Sequence, residues 1–269
     1  MDQKLAIFGP IKAKKHMAVV SALLNEVVKK KRANFEKKLV LSQEIQDQCL
    51  QKLLIKARNT DFGEHYNFEK ILSSGDHVAE FQKKLPLFTY EKMYDEWWYR
   101  HFTGDQKNIS WPGKVKYFGL TSGTSNASSK RVPLTTAMLK SIRKAGIRQL
   151  LALAEFDLPK SFYQKSVIML GGSTELVKME TYFEGDLSGI IAGKLPFWFN
   201  RWYKPGKPIS REKDWAAKLE KMVEAAPKWD IGGISGVPAW FQILLQMIID
   251  RYKLKNIHVN DSYLKILKA

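Results

Sequence analysis

The residues Thr121-Ser-Gly-Thr-Ser-Asn-Ala-Ser-Ser-Lys130 concentrate the groups that hold phosphate. An anion-binding loop needs backbone N–H groups turned into one concavity, hydroxyl donors, and a cation. Gly123 supplies backbone freedom. Thr121, Ser122, Thr124, Ser125, Ser128 and Ser129 supply donors, and Lys130 supplies the charge. The chemistry this composition suits is the binding of an anion such as phosphate. The same composition also describes a Ser/Thr-rich hairpin turn. A Walker A loop does not fit: counted from Gly123 it requires Gly at 128 and Lys at 129, and Ser stands at both.

The elements around this stretch are those of an α/β protein. Val115 to Leu120 alternates as a strand does, and Arg131 to Leu134 is a second short strand, so the loop joins two strands at a sheet end. Thr135 or Thr136 can cap a long helix to about Glu155, with Met138, Ile142, Leu150, Leu151 and Ala154 as its expected buried stripe. Ser166 to Leu170 reads as a buried strand ending in Gly171-Gly172, and a further strand is expected near Glu180 to Phe183. Asp214 to Ala226 carries Trp215, Leu219, Met222 and Val223 at helical spacing. Ile231 to Ile234 is a strand, and Val237 to Tyr252 is the clearest amphipathic helix, with Pro238 in its first turn where it is tolerated. Tyr263 to Leu267 is a last candidate strand.

Upstream of Trp111-Pro-Gly113 the pattern is helical. Helices are expected over 16–38, 43–58, 76–84 and 90–100, with Thr60-Asp-Phe-Gly63 a turn and Trp97, Trp98 and Tyr99 a packed aromatic cluster. The expected organisation is a mostly helical region over 1–110 and an α/β nucleotide-binding region over 111–269.

Composition bounds the rest. The chain has 269 residues, 45% hydrophobic and 12% aromatic, which rules out a disordered chain. A single cysteine, Cys49, rules out an internal disulfide; it is expected to be core rather than nucleophile. With no signal-peptide pattern and no apolar run near the 20 or so residues that span a bilayer, the expected location is the cytoplasm, away from membranes. The charge of +17 would suit nucleic acid, an anionic membrane surface or anionic small molecules; no reading motif accompanies it, and nucleic acid is not an expected partner. His16, His65, His77, His101 and His258 show no metal-ligand spacing, so no protein metal site is expected.

With the following Val132-Pro133, the pattern Thr121-Ser-Gly-Thr-Ser-x-x-x-x-Lys130 resembles the first ATP signature of the auxin-responsive (Gretchen Hagen) acyl acid amido synthetases. These belong to the acyl-adenylate-forming enzymes that include firefly luciferase. Thr60-Asp-Phe-Gly-Glu-His-Tyr-Asn-Phe68, Leu85-Pro86 and Tyr90-Glu91 are similar to the family's earlier segments. Trp111 to Phe118, Gly185 to Gly189, Lys194 to Trp198 and Gly236 to Trp240 resemble its bacterial branch. The resemblance implies a helical lead-in followed by part of the α/β large domain. It implies ATP and Mg²⁺ as cofactors, and a carboxylic acid and an amine such as an amino acid as substrates. It assigns Thr121, Ser122, Gly123, Thr124, Ser125 and Lys130 to the phosphates. It assigns Gly236, Val237, Pro238 and Trp240 to the acyl or nucleotide pocket, where helix-start packing explains Trp240 equally well.

The sequence departs from the family at two points. Asn126-Ala127 replaces a common glycine pair. The second signature, of Tyr-x-x-Ser-Glu type, and the C-terminal domain are absent. Tyr182-Phe-Glu-Gly-Asp186 has the spacing of the third signature but falls too early in the chain, so it is taken as coincidence with Asp186 a secondary candidate. The expectation is therefore an N-terminal portion of the enzyme, with its C-terminal half a missing partner.

Overall fold

A computed structural model describes residues 26–34, 43–104, 106–121, 129–156 and 158–254. The fold mixes helices with two sheets, as an α/β reading requires. Two compact units are distinguished, each built from more than one stretch of chain.

One unit comprises Glu36–Ser141 and Lys178–Glu184. It opens with helices α1 (Gln43–Ala57), α2 (Asp61–His65), α3 (Phe68–Leu72), α4 (His77–Lys84) and α5 (Tyr90–Glu96). Their starts are set by side-chain caps. Thr60 accepts from the Gly63 N–H, Asn67 from Lys70, Asp76 from Ala79 and Thr89 from Lys92, each satisfying a donor the helix leaves free. The expected Thr60-Asp-Phe-Gly63 turn is the capped first turn of α2. Buried Thr60 also donates to the Ala57 carbonyl, and a Cβ at Gly63 would sit 2.1 Å from that same oxygen. Leu54, Ala57, Phe68 and Ile71 form the core beneath these turns.

Three sequence expectations are corrected in or beside this unit. Cys49 is exposed, because α1 buries the stripe of Leu54 and Ala57 and turns Cys49 and Leu53 away. Of the aromatic run, Trp97 is buried but Tyr99 is exposed. Helix α6 (Thr136–Leu151) buries none of its residues, and Met138 and Leu150 are 39% and 48% exposed. Helical spacing marks a face that could be covered; it does not supply the cover.

The strands of this region make a four-stranded sheet in the order β2-β1-β5-β4, with β1 Tyr117–Leu120, β2 Arg131–Leu134, β4 Val177–Lys178 and β5 Phe183–Asp186. The β1–β2 pair is antiparallel, Tyr117 opposite Leu134 and Leu120 opposite Arg131. The strand expected near Glu180 lies three residues further on.

The other unit comprises Met1–Phe35, Ile142–Val177 and Gly185–Ala269. Its sheet has the order β6-β3-β7, with β3 Ser166–Leu170, β6 Tyr203–Lys204 and β7 Ile231–Gly236, and β3 is parallel to both neighbours. Short helices α7 (Leu187–Gly193) and α8 (Lys207–Ser210) intervene along the chain. Helices α9 (Trp215–Ala225) and α10 (Pro238–Tyr252) bury Leu219, Met222, Val223, Phe241, Leu244 and Ile248 against Ile168 and Leu170. Parallel strands joined through helices need such a cover. Residues 26–34 are helical, within the expected 16–38, and the candidate strand Tyr263 to Leu267 lies outside the described residues.

Candidate functional site

The β1–β2 ladder continues one step beyond the strands. The Thr121 N–H donates to the Lys130 carbonyl at 3.0 Å, closing the base of the loop. Both ends of the candidate phosphate loop are therefore held by backbone hydrogen bonding. Ser122, Gly123, Thr124 and Ser125 lie outside the described residues.

Lys130 stands at this base with a half-open side chain. Its ammonium lies 2.5 Å from the Glu91 carboxylate and 4.7 Å from the centre of the Tyr90 ring. The hydrogen bond from Lys130 holds the Glu91 carboxyl below its usual range. The Tyr90 hydroxyl accepts from the Arg131 N–H at 2.9 Å and donates to the Arg131 carbonyl at 3.3 Å. The first turn of α5 is thus bound to the start of β2.

Arg131 is disposed differently. Its guanidinium donates to Glu184 at 2.8 Å, and that bond raises its pKa. The Glu184 side chain is 11% exposed, so the ion pair belongs to the sheet. Tyr182 packs on Phe118 and Phe102, with ring centres 4.9 and 5.2 Å away. Residues of the Tyr182–Asp186 stretch thus have packing and pairing roles.

In the parallel-sheet unit, Gly236 ends β7 opposite Leu170 at the end of β3. Its φ is +155°, and a Cβ there would lie 2.5 Å from the Leu170 carbonyl oxygen, so only glycine fits without strain. A groove of about 580 Å³ opens beside it, lined by Ile234, Gly236, Pro238, Phe241, Leu245 and Ile249. Gln242 and Gln246 are the polar side chains among its lining residues. Of the four sequence-assigned pocket residues, Gly236 and Pro238 line the groove. Val237 is the N-cap of α10 and is exposed. Trp240 packs on Trp215, ring centres 4.8 Å apart, and joins the core.

Lys218 was not anticipated as part of any site. It is 3% exposed, and its ammonium donates to the carbonyls of Gly171 at 2.8 Å and Gly172 at 3.0 Å. Burial lowers its pKa, while Asp186 and Glu212 oppose that effect. The Gly172 N–H donates to Ser188 Oγ, and the Ser188 hydroxyl and N–H both donate to Asp186 Oδ1. The turn after β3 is gripped from both sides. A legible signal existed: Lys218 interrupts the apolar stripe of Trp215, Leu219 and Met222. Among the described residues, no three His, Cys, Asp or Glu side chains gather as a metal site would require, and no helix is long and apolar enough to cross a membrane.

Comparison with known proteins bears on the family and the fold. Residues 31–219 match the model of the GH3 family N-terminal domain. None of the curated proteins matches. A solved structure of GH3.15 acyl acid amido synthetase aligns with a TM-score of 0.66 at 14% identity, covering 84% of this chain and 39% of that one. A second, AtGH3.15 acyl acid amido synthetase in complex with 2,4-DB, aligns with a TM-score of 0.59 at 15% identity, covering 91% of this chain and 40% of that one. At such identities the likeness is one of fold, and the chain spans about two fifths of the length of the structures it matches. The helical turns, the β1–β2 hairpin and the strand β3 all fall within the matched residues, and the chain belongs to the GH3 family through its N-terminal domain.

Proposed function

We propose that this chain carries the phosphate-binding part of an ATP-dependent acyl acid amido synthetase. The observation that supports the reading best is the closed base of the β1–β2 hairpin, with Lys130 beside it. The Thr121–Lys130 hydrogen bond brings the two ends of a Ser/Thr/Gly stretch together, and a half-exposed ammonium stands at the point of closure. A hairpin end with backbone donors, hydroxyls and a cation suits a triphosphate.

In the proposed reaction a carboxylate oxygen attacks the α-phosphorus of ATP and pyrophosphate leaves. An amine nitrogen, as of an amino acid, then attacks the acyl carbon; AMP leaves and the nitrogen loses a proton. Thr121, Ser122, Gly123, Thr124, Ser125 and Lys130 hold the phosphates, and Lys130 neutralises charge that grows on them as pyrophosphate departs. The groove beside Gly236 and Pro238 takes the apolar part of the acid, and Val237 and Trp240 belong to the same helix start. Mg²⁺ bound with the nucleotide would supply charge screening of the triphosphate, and no residue of this chain is assigned to it. The chain works in the cytoplasm on small molecules.

Calorimetric titration with MgATP tests the reading. Lys130→Met should weaken binding by roughly ten- to a hundredfold, the loss of a charge-assisted hydrogen bond to phosphate. Unchanged affinity would remove Lys130 from the site. A second reading is nucleotide binding by this chain without turnover. MgATP binding without carboxylate-dependent pyrophosphate exchange would select it.

A further inference from the structure

Two adjacent cations at the base of the hairpin have different partners, and the difference points to a role for Glu91. Arg131 is committed to Glu184, whose side chain is only 11% exposed and sits within the same sheet. Lys130 pairs with Glu91 across a gap of 39 residues, and their side chains are 44% and 63% exposed. A buried partner cannot be given up without leaving an unpaired charge in a poor solvent. An exposed pair is held weakly, because water screens it and solvates each member once it parts.

The position of Glu91 is nevertheless built rather than incidental. Its neighbour Tyr90 makes two hydrogen bonds with the backbone of Arg131 and lays its ring beside the Lys130 ammonium. Residues 90 and 91 are therefore anchored at the strand start, and Lys130 finds a carboxylate and a ring face without searching. We propose that Glu91 is the resident counter-ion of Lys130, which a bound polyphosphate must displace. The inference rests on the reading that Lys130 meets phosphate.

The consequence is a sign. A carboxylate that neutralises Lys130 competes with phosphate and, once displaced, repels it from close by. Removing the charge of Glu91 should strengthen polyphosphate binding, whereas removing Lys130 should weaken it. A residue that merely shaped the hairpin would give the opposite sign for Glu91.

The experiment is calorimetric titration of the whole chain with MgATP, for wild type, Glu91→Gln, Lys130→Met and the double variant, with melting temperatures to check folding. Glu91→Gln should bind MgATP about two- to fivefold more tightly than wild type, the range expected when an exposed ion pair is removed. That gain should vanish in the Lys130→Met background, and Glu91→Asp, which keeps the charge, should stay nearer to wild type. Equal or weaker binding by folded Glu91→Gln, with Lys130→Met still weakened, overturns the counter-ion role and leaves the phosphate reading standing. No weakening by Lys130→Met, or no binding by wild type, overturns both.

Discussion

The ammonium of Lys218, a residue only 3% exposed, lies 2.8 Å from the carbonyl oxygen of Gly171. A lysine so buried is uncommon, because its charge must be compensated inside the protein. Here the direct compensation is two successive carbonyls, Gly171 and Gly172, after β3, with the charges of Asp186 and Glu212 adding to it. Lys218→Met keeps the stem and removes the donor, leaving carbonyls without a partner. We expect a loss of about 1–3 kcal/mol in denaturant unfolding, the cost of buried acceptors left unsatisfied.

His101 gives a pH dependence. It is 6% exposed, and its Nε2 has no hydrogen-bond partner in the structure. Burial first, and the charge of Arg100 second, bring its pKa down to about 4 from the ordinary 6.5. The folded state therefore refuses a proton that the unfolded state accepts. The associated stability is fully present above pH 6.5 and is lost as pH falls toward 4. The full effect is about 3 kcal/mol, since each tenfold change in proton affinity is worth roughly 1.4 kcal/mol. His101→Leu should flatten the stability profile between pH 6.5 and 4, measured by urea unfolding at a series of pH values.

Gly236 tests the strand-end geometry. With φ at +155° and the Leu170 carbonyl 2.5 Å from any Cβ, Gly236→Ala must shift β7 away from β3 or accept backbone strain. We expect a loss of about 1–3 kcal/mol. Gly75→Ala, with nothing within 4 Å of the added carbon, is the control and should cost far less. Melting curves of the two variants decide the point.

Thr60 tests whether the first shared family segment is structural. Its hydroxyl donates to Ala57 at 2.6 Å and accepts from Gly63 at 3.1 Å, and the residue is 1% exposed. Thr60→Val keeps the shape and removes both bonds. A loss of about 1–2 kcal/mol is expected, as for other helix caps. A variant as stable as wild type would show that the cap contributes nothing.

Much of the fold was legible because the interactions responsible are local. Helical spacing and cap residues located α1, α4, α9 and α10 to within a few residues, and β2 and β3 as they stand. Those signals lie within a few positions of one another, where chain connectivity already sets the geometry. The family was legible too, because several short segments resemble it in order along the chain, and residues 31–219 match its N-terminal domain. The hairpin that joins Thr121 to Lys130 follows from two short strands with a polar turn between them.

Other features depended on residues far apart in sequence. Nothing local distinguishes Lys130, which pairs with exposed Glu91, from Arg131, which pairs with nearly buried Glu184. Lys218 reads as one more cation of a basic chain until β3 brings two carbonyls to it. The apolar face of α6 reads as core and is left open, while Trp240 reads equally as a pocket residue or as helix-start packing, and it packs on Trp215. In each case a residue's type specifies what it can bind, and only the folded chain specifies what lies within reach. By itself the sequence determined the longer elements, their starts and the family; the tertiary structure alone decided which charges pair with a nearly buried partner and which with an exposed one, because a charge's surroundings depend on residues far away in the chain.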